Sequence, residues 1–191
     1  MNIILQLHIT GNCNLRCKHC YIEEHSCDMP YSSIKRVLRQ YDVLVKQLEK
    51  HCQEKVVAHL HFTGGEPLLH PQIKKILKLF YRKRNKYRYA IMSNGSFLDD
   101  YIIKQLKKLN IKAYQLSLDG DEETHDSIRG KGNFKQVVLA MDLLKENGIR
   151  TRVSFTANKM NYTQFPAVAE ICSKHNVDSL WSDRFIPVKG A

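Results

Sequence analysis

Apolar stretches suited to strands alternate with amphipathic stretches suited to helices along almost the whole chain. This rhythm restricts it to a parallel sheet layered with helices. Strands are expected over Ile3–Thr10, Val56–Phe62, Tyr87–Ser93, Ala113–Leu118, Arg152–Ala157 and Ser179–Ile186. Helices are expected over Ser32–His51, Pro71–Arg84, Asp99–Leu109, Phe134–Asn147 and Thr163–His175. Pro71 suits a first helical turn, and Gly148 suits the position just past a helix end.

The fold class expected is therefore α/β, as one domain over residues 1–191. A closed eight-unit barrel takes ~250 residues, and the chain has 191, so the expectation is a partial (β/α)6 TIM-like barrel with parallel strands. Strands covered on both faces read as continuous apolar runs. Here one face of each alternates polar: Gln6, His8 and Thr10; His59, His61 and Thr63; Gln115, Ser117 and Asp119; Arg152, Ser154, Thr156 and Asn158. An antiparallel sheet with one wet face would explain the alternation but not the helical crossovers. A sheet curled around a hydrated cavity explains both. His59 and His61 should face that cavity, whereas Trp181 is expected in the core.

Three of the six cysteines, Cys13, Cys17 and Cys20, fall within eight residues in CNLRCKHC, directly after the first strand. The apolar N-terminus lacks a preceding basic region, so it reads as a strand, and clustered thiols without a secretory signal point to a metal site in a reducing cytoplasm. No run approaches the ~20 apolar residues of a membrane span. Thiolates at C-x3-C-x2-C spacing can each bond one iron of a cluster. Structural zinc is the alternative; it wants four ligands, and His19 or His25 could supply the fourth. Cys27, Cys52 and Cys172 are too dispersed for a second cluster and are expected to pack as small apolar side chains.

With this spacing in this loop, the chain resembles the radical S-adenosylmethionine (SAM) superfamily. The residue before the last cysteine is usually aromatic there; here it is His19, and Tyr21 follows the motif, both expected to face the cofactor. The resemblance implies a 4Fe–4S cluster on Cys13, Cys17 and Cys20, with SAM chelating the remaining iron. Reductive cleavage of SAM then yields a 5′-deoxyadenosyl radical that abstracts a substrate hydrogen.

The second motif, HFTGGEP, carries Gly64, Gly65 and Glu66, and by resemblance this segment holds the methionine amino group of SAM. Ser93 and Asn94 end the third strand and would approach the adenosine; Ser117 and Asp119 would bond the ribose; Arg129 would pair with the methionine carboxylate. Asn133 is expected to cap the following helix. LDG followed by HD, RG and NF resembles the subgroup that modifies peptides and proteins, including sulfatase-maturing and peptide-crosslinking enzymes. RFIPVKGA resembles the point where those enzymes leave the barrel for a C-terminal domain with auxiliary clusters, which this sequence does not contain.

The net charge of +11 invites a nucleic-acid partner. The densest basic run, Lys74 to Arg88, lies on a helix and its exit turn, where cations suit the helix dipole. It is expected on the closed end of the barrel, as a solvated face or a dock for an acidic leader peptide, a reductase or RNA. The function expected is hydrogen abstraction from a ribosomal peptide or protein side chain, with an electron donor such as flavodoxin or ferredoxin. The alternatives are a tRNA-modifying enzyme or glycyl-radical activase of the same chemistry and, in another class, a zinc-binding or iron–sulfur electron-transfer module.

Overall fold

A computed structural model describes residues 1–22 and 27–186. His25 and the last part of RFIPVKGA, residues 187–191, lie outside the described residues. Six parallel strands, β1 (Asn2–Thr10), β2 (Val57–Gly64), β3 (Arg88–Met92), β4 (Ala113–Ser117), β5 (Thr151–Ala157) and β6 (Ser179–Arg184), lie side by side in chain order. The helices between them are α1 (Tyr31–Cys52), α2 (Ile73–Arg82), α3 (Asp100–Leu109), α4 (Glu122–Arg129), α5 (Asn133–Glu146) and α6 (Phe165–Lys174). No described helix is long and apolar enough to cross a membrane.

The period-two alternation of the strands sorts their faces. Leu7, Ile9, Leu60, Phe62, Ile91, Leu116, Val153 and Phe155 point outward and are buried under helix residues such as Leu38, Phe80, Leu106, Val137 and Val168. The other face carries the polar set and stays open enough for Gln6 and His8 to be exposed. Trp181 is 44% exposed on that open face, its indole N–H donating to Gln115 Oε1 at 3.3 Å, and is not part of the core.

Several boundaries move for identifiable reasons. Pro71 sits in the turn ahead of α2, whose first residue Ile73 donates its N–H to the His70 carbonyl. α4 was not expected from sequence; Asp121 starts it by accepting the Thr124 N–H at 2.9 Å, with Glu122 and Glu123 in the positive first turn. Asn133 opens α5 without capping it. Asp126 takes that role across the loop, its carboxylate accepting the N–H groups of Gly132 (2.5 Å) and Phe134 (2.8 Å).

The basic run divides. Because α2 leaves the carboxyl end of β2, Lys74 and Lys75 belong to the open end of the barrel. Their ammonium groups lie 5.1 Å over Tyr101, in the first turn of α3, and 4.4 Å over Tyr31, in the first turn of α1. Only the later part, where Lys83 and Lys86 meet Asp42, occupies the closed end. Cys172 is buried as expected, while Cys27 and Cys52 are exposed.

Candidate active site

The carboxyl ends of the strands surround a cavity of about 550 Å³. One wall is the loop that follows β1, and Asp28 anchors its base by accepting from Thr10 Oγ1 (2.5 Å) and Asn12 Nδ2 (3.1 Å). At the far side the Lys18 N–H donates to the Ile128 carbonyl at 2.9 Å. Between these anchors Cys13, Cys17 and Cys20 all line the cavity, none of them in a disulfide. Cys13 Sγ accepts from the Leu15 N–H at 3.4 Å and the Asn94 amide at 3.7 Å, and the Arg129 guanidinium reaches Cys17 Sγ at 4.0 Å. Burial pushes the Cys13 and Cys17 thiols above their ordinary value, with Arg129 pulling Cys17 the other way. Such thiols ionise when a metal takes the place of the proton.

Three thiols on one wall, with N–H donors aimed at two of the sulfurs, fit an iron–sulfur cluster. Among the described residues, no three His, Cys, Asp or Glu side chains stand close enough to share a single metal ion. Residues 7–170 match the family model of the radical SAM superfamily.

The chain belongs to the radical SAM superfamily. It is 31% identical over 165 residues to the antilisterial bacteriocin subtilosin biosynthesis protein AlbA of Bacillus subtilis, covering 85% of this chain and 35% of that protein. It is 28% identical over 171 residues to Fe-coproporphyrin III synthase of Methanosarcina barkeri, covering 89% and 41%. Its fold superposes on Streptococcus suis SuiB bound to S-adenosylmethionine with a TM-score of 0.78 at 20% identity, covering 98% of this chain and 41% of that one. The chain thus spans well under half the length of these relatives. As a radical SAM protein it is an enzyme whose cofactors are a 4Fe–4S cluster and SAM, and its sheet is the partial barrel of that fold.

Of the residues assigned to SAM by resemblance, His19, Tyr21, Gly64, Gly65, Ser93, Asn94, Ser117 and Arg129 all line the radical SAM cavity. Glu66 and Asp119 do not; both are fully buried behind its wall. Rather than facing an ammonium, the Glu66 carboxylate accepts from Ser93 Oγ (2.9 and 3.0 Å), the Asn94 N–H (2.8 Å) and the Leu68 N–H (3.0 Å). Burial pushes its pKa up to about 7 against the pull of those donors. Glu66 thus fixes the end of β3, and the wall it supports is the backbone of Gly64 and Gly65.

Rather than facing a ribose, Asp119 gathers the site together. Its carboxylate accepts from His19 Nε2 at 2.8 Å, Arg129 Nε at 2.5 Å and the Thr156 N–H at 3.0 Å. One buried acid thereby joins the cysteine loop, α4 and β5. His125, also fully buried, accepts the Asp119 N–H on Nδ1 (3.1 Å) and so carries its proton on Nε2, which donates to Asn133 Oδ1 (3.0 Å). The Asn133 amide reaches the Asn94 carbonyl at 3.4 Å.

Sequence reasoning passed over the exit of β6, where Trp181, Asp183, Arg184, Phe185 and Ile186 close the far wall and Phe185 stacks on His19 at 6.5 Å. The aromatic residues in that segment were the available signal.

The close approach of Gly65 to the loop gives a direct test. A Cβ there would run into the Asn12 and Gly11 carbonyls, which are backbone and cannot swing aside. Gly65→Ala is expected to cost about 1–3 kcal/mol of stability and to push out the loop that carries the thiols. Iron retained after gel filtration under anaerobic conditions should fall together with the melting temperature. A variant that melts and holds iron like the parent would show that the loop yields.

Proposed function

We propose that this radical SAM enzyme abstracts hydrogen from a side chain of a peptide or protein substrate, in a reducing compartment and with an acidic flavodoxin or ferredoxin as electron donor. Residues 1–191 are its cofactor-bearing core. Reductive cleavage of SAM at the 4Fe–4S cluster to a 5′-deoxyadenosyl radical is the chemistry these cofactors supply.

The chain's own residues divide the remaining work. Cys13, Cys17 and Cys20 would hold the cluster, with Asn94 directed at the Cys13 sulfur and Arg129 at the Cys17 sulfur. The Gly64–Gly65 backbone and Ser93 offer polar contacts to the methionine and adenosine parts of SAM, and Ser117 is placed for a hydroxyl. Arg129, oriented through Nε by Asp119 and with Nη1 toward Cys17, keeps Nη2 for a carboxylate. Trp181 and Phe185 give the wall opposite the thiols an apolar surface.

The observation that carries the peptide reading is the likeness to AlbA, a protein of subtilosin bacteriocin biosynthesis. Trp181 and Ile186, both exposed on the wall of the cavity, support it as apolar surface on which a peptide can rest. Cluster-loaded enzyme, SAM and dithionite would be incubated with deuterated peptides encoded beside its gene. Deuterium in the 5′-deoxyadenosine and a matching mass loss in the peptide are expected. Transfer from a tetrapyrrole with none from any peptide would replace this proposal by one drawn from Fe-coproporphyrin III synthase.

A further inference from the structure

Below the cavity the inner face of the sheet changes character. The parallel register sets His59 beside Arg88 and His61 beside Ala90, then Ala90 beside Ala113, and Gln115 beside Arg152. Between the histidines on β2 and the arginine on β5 this face carries only the small, buried side chains of Ala90 and Ala113 in that row. Gln115 lines the cavity and holds the Trp181 indole, so Arg152 is one strand position away from the cavity wall.

Among the described residues neither Arg88 nor Arg152 has a carboxylate within salt-bridge distance. Asp183, an acid on the same face, pairs in register with Thr156, two strand rows nearer the mouth. The charges on this face also act on one another. Burial first, and then Arg88 and Arg152, hold His59 below its ordinary value; burial, His59 and Arg152 do the same to His61. Over these lower rows the face therefore presents two permanent cations and two imidazoles held toward the neutral form, while its carboxylate, Asp183, stands two rows nearer the mouth.

We infer that this lower part of the barrel interior is a seat for a carboxylate of the substrate, gripped by Arg152 and Arg88 with His61 as a neighbouring hydrogen-bond donor. The inference rests on the peptide reading for the source of that carboxylate, an acidic side chain near the residue that is attacked. A guanidinium fork suits a planar carboxylate, and a substrate anchored below the cavity holds its reacting carbon still at the cavity mouth.

Calorimetric titration of the cluster-loaded enzyme with SAM present tests it. The probes are a blocked tetraglutamate peptide, the matching tetraglutamine peptide and citrate. Tetraglutamate should bind and tetraglutamine should not. Arg152→Gln should weaken tetraglutamate about tenfold to a hundredfold, the range of one charge-assisted contact. Arg88 is exposed, so Arg88→Gln is a second variant that keeps the fold, and it should weaken the same probe. Lys107→Gln with Lys108→Gln, on the outer helix α3, should leave the titration unchanged. Equal weakening by the lysine pair, or binding indifferent to both arginines, would overturn the seat as mere attraction to a basic protein. Citrate bound in an arginine-dependent way, with tetraglutamate ignored, would keep the seat and remove the peptide.

Discussion

Cys17→Ala is expected to leave the enzyme without a retained iron–sulfur cluster and without measurable conversion of SAM to 5′-deoxyadenosine under dithionite. Each of the three thiols is assigned one iron, and two cannot hold the cluster open at a single iron. The Cys20 N–H donates to the Cys17 carbonyl at 3.0 Å, a backbone contact the substitution keeps, so the loss can be assigned to the sulfur. Cys13→Ala and Cys20→Ala should behave alike. Cys52→Ala, at the exposed end of α1, is the control and should match the parent in iron and turnover. Iron analysis, the visible absorbance of the anaerobically reconstituted protein and chromatography of the nucleoside products read the result. Full turnover in Cys17→Ala would remove it from the ligand set.

Asp119→Asn should be the most damaging exchange that adds and removes no bulk. Burial alone would raise the Asp119 carboxyl, but the Arg129 charge, the bond from His19 and the Thr156 N–H outweigh it and hold it well below the usual carboxylate range. Removing one partner of a buried ion pair costs about 3–5 kcal/mol, because the other charge stays behind unpaired. A value lowered on folding means stability that is whole above the ordinary carboxylate value of 3.8 and drains away as the pH falls below it. The parent should therefore lose stability on acidification through this region, and Asp119→Asn should start lower and lose less. Urea unfolding at neutral and acidic pH measures both. A variant with the parent's midpoint at neutral pH would show that His19 and Arg129 find other partners.

The cysteine spacing, GGEP and the strand–helix rhythm were legible because each is a local pattern with a local cause. Thiols at short intervals serve one cluster, paired glycines let backbones touch, and alternation of two periods builds a parallel sheet. What escaped depends on contacts across the sheet. The segment Glu122–Arg129 is short and polar, so it lacks the apolar stripe that marks a helix in sequence; it forms because Asp121 caps it and Ile128 packs beneath it. Glu66 and Asp119 sit in the motifs where sequence places them. Their carboxylates turn away from the cavity because the donors that satisfy them, Ser93 and Thr156 among others, come from strands far along the chain. Lys74 and Lys75 were sent to the wrong end because a helix was read as one patch, when its first turn and its last lie at opposite ends of the barrel.

The order of the sheet has a consequence for the moment at which the protein is made. Each strand pairs with the strand made just before it, so the sheet can grow behind the ribosome one unit at a time. The cysteine loop cannot be finished that way. His19 waits for Asp119, 100 residues later, and Asp119 waits for Thr156, a further 37. At the usual ~5–20 residues per second, the thiols spend on the order of ten seconds without the anchor that places them. During that interval they are exposed to oxygen and to whatever metal is at hand, so correct maturation depends on the newborn chain being kept reduced until β5 has joined the sheet.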